Sequence, residues 1–164
     1  MHIERISKSD MLSVLMYLFK NHMQNNCKLD CTTQKLTSEL QQKGFRKDAI
    51  NKAFNWLAEL NVSQYNIKYN SPQKNSIRIY SNDECKKINK ICRNFITSLE
   101  NDGILNTATR ELVISQVMHL DQKEISLNQI KWVALLVLFN QSDQREALNT
   151  LTCMVLNDNI ETVH

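Results

Sequence analysis

Residues 64–80 read QYNIKYNSPQKNSIRIY, and the fold turns on how this stretch is taken. Tyr65, Ile67 and Tyr69 alternate with Asn66 and Lys68, and Ile77 and Ile79 alternate with Arg78 and Tyr80. Alternation with a period of two is the mark of a half-buried strand. Between the runs lies a polar loop, residues 70–75, which holds the only Pro of the chain, Pro72. The expectation is a β-hairpin. Two strands are marginally stable alone, so the hairpin is expected to pack on helices.

Helix patterns precede it. Residues 10–22 carry Met11, Leu12, Val14, Leu15, Met16, Leu18 and Phe19, which leaves almost no polar face and predicts a nearly buried helix. A second helix follows Thr32 and Thr33, either of which can cap it. Leu36 and Leu40 face inward, and Gly44 suits the left-handed residue past its end. A third helix is predicted over residues 47–60, with Ile50, Ala53, Phe54, Leu57 and Asn61 on one face and Trp56 beside it. Helix, helix, strand, strand is the order of a winged helix. Residues 1–80 are therefore expected to form a winged-helix-like unit.

Residues 81–164 predict a helical bundle packed against that unit, as a second unit or as part of one continuous domain with a shared core. Ser81 and Glu84 form a capping-box pattern, and the helix they open shows Cys85, Ile88, Cys92, Phe95 and Leu99 on one face. It is expected to stop at Asp102-Gly103. A further helix from Thr107 or Thr109 buries Leu112, Val113, Val117 and Leu120. Ser126 and Gln129 repeat the capping box before the apolar run Trp132 to Phe139, which predicts the central helix. A last helix after Ser142-Asp143 presents Leu148, Leu151, Met154 and Val155, and residues 157–164 are expected to fray. The fold class is mainly α, a winged-helix-like unit followed by a bundle.

Composition narrows the function classes. Two Gly and one Pro in 164 residues favour helices over many-turned sheets. The longest apolar run is eight residues, against about 20 needed to span a bilayer, and the first residues carry no signal-peptide pattern. No membrane association and a cytoplasmic location are expected. Cys27, Cys31, Cys85, Cys92 and Cys153 are an odd set, read as reduced thiols.

Chemistry-bearing motifs are sparse. There is no G-x-S-x-G, no P-loop, no G-x-G-x-x-G and no H-E-x-x-H. So few Gly argue against a phosphate-cradling loop, which needs permissive backbone angles. Cys27 and Cys31 have zinc-like spacing, yet with His22 they supply three ligands where structural zinc takes four. Cys85 and Cys92 face inward as small hydrophobes, and His22 and His119 lie far apart. Glu100 with Asp102, and Asp121 with Glu124, read as capping and solubility residues. No enzyme activity, metal or cofactor is expected.

Charge is uneven. Residues 28–80 hold nine Lys/Arg against four Asp/Glu, whereas residues 97–164 hold four against nine. A positive winged-helix surface fits nucleic acid. The second helix of the pair would present Asn51, Lys52 and Asn55 to bases, and Arg46, Lys47, Lys68, Lys74 and Arg78 would meet phosphates. Asp48 and Glu59 flank the same face and oppose that use. Winged-helix units also dock proteins. Tyr65, Tyr69 and Tyr80 would be anchors for a partner, and the acidic C-terminal half could meet a basic partner or a second copy.

Several blocks resemble the Smg family, small proteobacterial proteins of unknown function. They are Val14-Leu15-Met16-Tyr17-Leu18-Phe19, Gly44-Phe45 with Trp56-Leu57, and Arg78-Ile79-Tyr80 with Glu84-Cys85. Further blocks are Cys92-Arg93 with Phe95, Arg110-Glu111-Leu112-Val113-Ile114, and Lys131-Trp132-Val133 through Val137-Leu138-Phe139-Asn140. The resemblance covers nearly the whole chain. It departs at Asn94, Lys20 and Ser142, where many relatives carry Gly, an acidic residue and Pro. Genes of that family often neighbour the one for DNA-processing protein A. The resemblance therefore implies a setting in bacterial DNA processing or uptake, with no activity assigned. The leading expectation is a non-enzymatic adaptor that binds another protein. The alternative is direct nucleic-acid binding through residues 46–78.

Overall fold

A computed structural model describes residues 10–23, 33–69, 77–141 and 144–161. The chain divides into two compact units, Met1–Glu59 and Leu60–His164. Among the described residues every regular element is a helix.

In the first unit, Asp10 caps α1 (Met11–Leu18) by accepting the Leu12 N–H at 3.3 Å. The expected single helix over residues 10–22 is α-helical to Leu18 and then widens into a π-helical turn, Phe19–Met23. Met11, Leu12, Val14, Leu15, Leu18 and Phe19 are buried, as the near-absence of a polar face demands. Helix α2 (Thr33–Gln42) buries Leu36 and Leu40. It ends in a Schellman motif, in which the Gly44 N–H bonds Gln41 O at 2.9 Å and the Phe45 N–H bonds Leu40 O at 3.1 Å. Gly44 has φ +90°, a conformation that favours Gly. Helix α3 starts at Lys47 and buries Ala49, Ile50, Ala53 and Trp56 within this unit.

The winged helix is overturned at the end of α3. The helix runs Lys47–Tyr69, so the residues read as a first strand are its last turns. Neither Gly nor Pro lies between Gly44 and Pro72. Extending an existing helix gains a hydrogen bond for each residue fixed, whereas a hairpin needs a second strand and a packing face. The polar loop, residues 70–75, lies outside the described residues. Residues 77–80 are described and belong to no regular element. Their inside–outside parity is opposite to the strand reading. Ile77 and Ile79 are 93% and 83% exposed, and Arg78 and Tyr80 are the half-buried pair.

In the second unit, α4 (Asn82–Lys87) opens with the expected capping box of Ser81 and Glu84. The single helix expected here is broken. Ile88 forms an isolated parallel bridge with Ile125, and Asn89 then caps α5 (Lys90–Asn101) by accepting the Cys92 N–H. Helix α5 also ends in a Schellman motif, with the Gly103 N–H on Glu100 O, the Ile104 N–H on Leu99 O, and Gly103 at φ +73°. Both glycines of the chain thus terminate helices. Helix α6 (Thr107–Met118) is capped by Asn106 in a box with Thr109, where Thr107 or Thr109 was expected to start it. Helix α7 (Leu127–Phe139) buries an unbroken run from Trp132 to Leu138 and packs against α5, α6 and α8 (Arg145–Glu161), as expected of the central helix. Helix α8 continues past the point where fraying was expected, to Glu161. No helix among the described residues is long and apolar enough to cross a membrane.

Candidate functional site

The residues proposed for phosphate and base contact are distributed over both units. Arg46, Lys47, Asn51, Lys52 and Asn55 belong to the first unit and are all exposed, around the start and first half of α3. Arg46 reaches Asp48 at 3.5 Å, with both side chains well solvated. Lys68 lies in the last turn of α3, in the second unit. Lys74 lies outside the described residues, as do Cys27 and Cys31. Among the described residues no group of three or more His, Cys, Asp or Glu could hold a metal.

Arg78 is committed elsewhere. Its Nη2 and Nη1 donate to the two oxygens of Glu84 at 2.7 and 3.1 Å, and its Nε donates to both oxygens of Glu111 at 2.9 and 3.1 Å. Nη1 also donates to the Ile79 carbonyl. Glu111 in turn accepts from Arg110 Nη2 and Nε at 2.9 and 3.1 Å. Arg110, only 5% exposed, sends Nη1 to both oxygens of Glu100 at 2.8 and 2.9 Å. Two guanidinium groups and three carboxylates thus form one chain linking residues 77–80 to α4, α5 and α6. The planar fork of Arg matches a carboxylate edge, and burial is tolerable only because each charge is met.

Tyr80 extends the cluster. Its ring lies under the Arg78 guanidinium at 5.0 Å and near that of Arg93 at 5.6 Å. Arg93 Nη1 donates to Cys85 Sγ at 2.9 Å, and the Cys85 thiol points at Tyr80 O at 3.9 Å. Burial pushes the Tyr80 hydroxyl above its ordinary range, against the pull of Arg78 and Arg110. The hydrogen bonds from Arg78 outweigh burial and hold the Glu84 carboxyl below its ordinary range. Glu84 also accepts the Ser81 N–H at 2.8 Å, so one carboxylate caps α4 and holds Arg78.

The result is a pinned segment with an apolar edge. Arg78 and Tyr80 are held from three helices, while Ile77 and Ile79 stand in solvent. Among the described residues, no hydrogen-bond acceptor outside the segment takes the backbone N–H of Ile77, Arg78, Ile79 or Tyr80. Arg78, Arg110, Glu84, Glu100 and Glu111 pair their charges with one another. One shallow groove of about 330 Å³ runs along α2 in the first unit, lined by Gln34, Lys35, Ser38, Glu39 and Gln42.

Sequence reasoning missed Glu111 as a partner of Arg78 and Arg110 as a partner of Glu111 and Glu100, and read Glu100 as a surface cap. A signal was present. Arg110, Val113, Ile114 and Val117 share one helical face, so Arg110 sits on a buried stripe, where a cation must find a carboxylate.

The chain matches the family model described as "Protein of unknown function (DUF494)" over residues 11–164. A Protein Smg homolog of Coxiella burnetii (strain Dugway 5J108-111) is 46% identical over 153 residues, which cover 93% of this chain and 96% of that protein. Protein Smg homologs of Thioalkalivibrio sulfidiphilus and Aliivibrio fischeri (strain ATCC 700601 / ES114) are each 36% identical over 157 residues. These cover 96% and 94% of this chain and 99% and 100% of the relatives. No solved structure matches.

Proposed function

The chain belongs to the DUF494 family of Smg homologues, and we propose that it is a non-catalytic adaptor that binds another protein through residues 77–80. The observation that carries this reading is the inversion of that segment. Glu84 and Glu111 hold Arg78 inward, Tyr80 lies against the Arg78 and Arg93 guanidiniums, and two isoleucines are left at 93% and 83% exposure. Single exposed apolar residues are common on soluble proteins. Two on the same side of a segment fixed from three helices form a presented edge. Its outward Ile side chains suit a partner that adds an extended strand, with backbone bonds for affinity and pockets for alternate side chains. The setting in bacterial DNA processing or uptake rests on the gene neighbourhood of Smg relatives.

The test is co-purification from cell extract, with nuclease present, of the natural chain and an Ile77→Ser/Ile79→Ser variant. The natural chain should recover a defined partner that the variant loses. If the chain comes out alone under mild conditions, or the variant keeps the same partner, the reading fails.

One observation favours a second reading, direct nucleic-acid binding. Arg46, Lys47, Asn51, Lys52 and Asn55 are all exposed at the start and first half of α3. Against it stand Asp48, which takes Arg46, and the loss of the expected hairpin. Binding to random duplex and single-stranded DNA over a salt series decides it. Phosphate contact gives a log–log slope of about −0.9 per phosphate on duplex, and a Lys47→Glu/Lys52→Glu variant should abolish binding. No binding at low salt removes this reading.

A further inference from the structure

Three arginines of the second unit are buried or half-buried, and they are not alike. Arg78 and Arg110 bond carboxylates. Arg93, near the start of α5, does not: among the described residues no carboxylate pairs with its guanidinium. A guanidinium offers five N–H donors in a planar fork and accepts nothing. One of the Arg93 donors meets Cys85 Sγ at 2.9 Å, and a thiol sulfur is a weak acceptor. The Tyr80 ring, 5.6 Å from Arg93 Cζ, offers a π-face rather than a lone pair. These two contacts orient the side chain and leave most of its fork unfilled.

We infer that Arg93 is the specificity contact of the edge at residues 77–80, and that it takes a carboxylate from the partner. The partner segment is then an extended apolar strand that carries an Asp or Glu. This inference rests on the reading of residues 77–80 as a docking edge. Tyr80 is the last residue of that edge and the one whose ring Arg93 approaches, so the fork lies where the edge ends, beside the exposed Ile79. A strand advances about 3.3 Å per residue, so a partner running along Ile77 and Ile79 brings a side chain to the fork within a residue or two. Charge complementarity selects the residue type: a cation that lacks a carboxylate favours an acid and repels a base. The fork and a carboxylate match in two parallel bonds. Because Cys85 and Tyr80 already hold the guanidinium, little rotamer freedom is left to lose on binding.

The test uses the full chain and short labelled peptides of alternating Val and Thr, with Asp placed at each position in turn and an Asn counterpart of each. Affinities are read by fluorescence anisotropy. The best Asp peptide should bind roughly five- to tenfold more tightly than its Asn counterpart, between the values of an exposed ion pair and a buried charged bond. Arg93→Gln should erase that preference, and Arg93→Lys, which keeps the charge without the fork, should restore part of it. Ile77→Ser/Ile79→Ser should weaken Asp and Asn peptides alike. In the natural chain the Arg93 Nε–H resonance should move with the Asp peptide and stay put with the Asn peptide, a readout that needs no variant to fold. Equal binding of Asp and Asn peptides, or a preference that survives Arg93→Gln, overturns the role of Arg93 and leaves the docking edge standing. Binding that ignores the two isoleucines, or no binding by any peptide, overturns the edge and this inference together.

Discussion

Replacing Arg78 by Met tests whether the cluster in the second unit holds residues 77–80 in place. Methionine keeps the apolar stem and removes the guanidinium. Lost with it are paired bonds to Glu84 and to Glu111 and the contact over the Tyr80 ring. A bond to a charged partner contributes about 1.5–3 kcal/mol when buried, and an exposed pair about 0.2–1 kcal/mol. The side chains of Arg78, Glu84 and Glu111 are 22%, 17% and 28% exposed, between those limits. About 1 kcal/mol per carboxylate, with about 0.5 kcal/mol for the cation–π contact, gives about 2.5 kcal/mol. For a chain of this length that lowers Tm by about 5–10 °C. Urea unfolding should show an earlier midpoint with an unchanged slope, and the loss should persist in molar salt, since a shielded network is weakly screened. Where the units unfold separately, only the transition of the second should move. Arg78→Lys keeps the charge but not the fork, and should recover less than half. A loss under about 0.5 kcal/mol, or one that vanishes with salt, would show the cluster to be a solvated surface array that does not hold residues 77–80.

Glu84 gives the pH counterpart. Its carboxyl is depressed, so its contribution is complete above the ordinary carboxylate range and is lost as pH falls through its folded value; stability measured against pH should show a shallower acid limb in Arg78→Met. Gly103→Ala adds a Cβ that meets nothing within 4 Å, so its cost is the left-handed backbone alone, about 1–2 kcal/mol by urea unfolding. Trp132→Ala empties a fully buried site in α7 and should cost about 3–5 kcal/mol by the same measurement. Ile77→Ser/Ile79→Ser should change stability by less than about 0.5 kcal/mol while removing partner capture.

Helix caps and the central helix were legible in the sequence. Ser81 with Glu84 and Ser126 with Gln129 act within four residues, and Gly44 and Gly103 answer a local demand for positive φ. The run from Trp132 to Leu138 could only be buried, because it has no polar face to show. Residues 64–80 were not legible, since tyrosines and isoleucines spaced by two fit a strand or the end of a long helix equally well. Local helix propagation settled the first half of that stretch and tertiary structure the second. Helix α3 propagates to Tyr69 because nothing in its path breaks it. Residues 77–80 turn their polar side inward, where Glu84 and Glu111, the latter fixed on α6 by Arg110, meet Arg78. Glu111 lies 33 residues from Arg78 along the chain. A charge pairing across that separation leaves no periodic trace in sequence, and only the packed helices bring its members together.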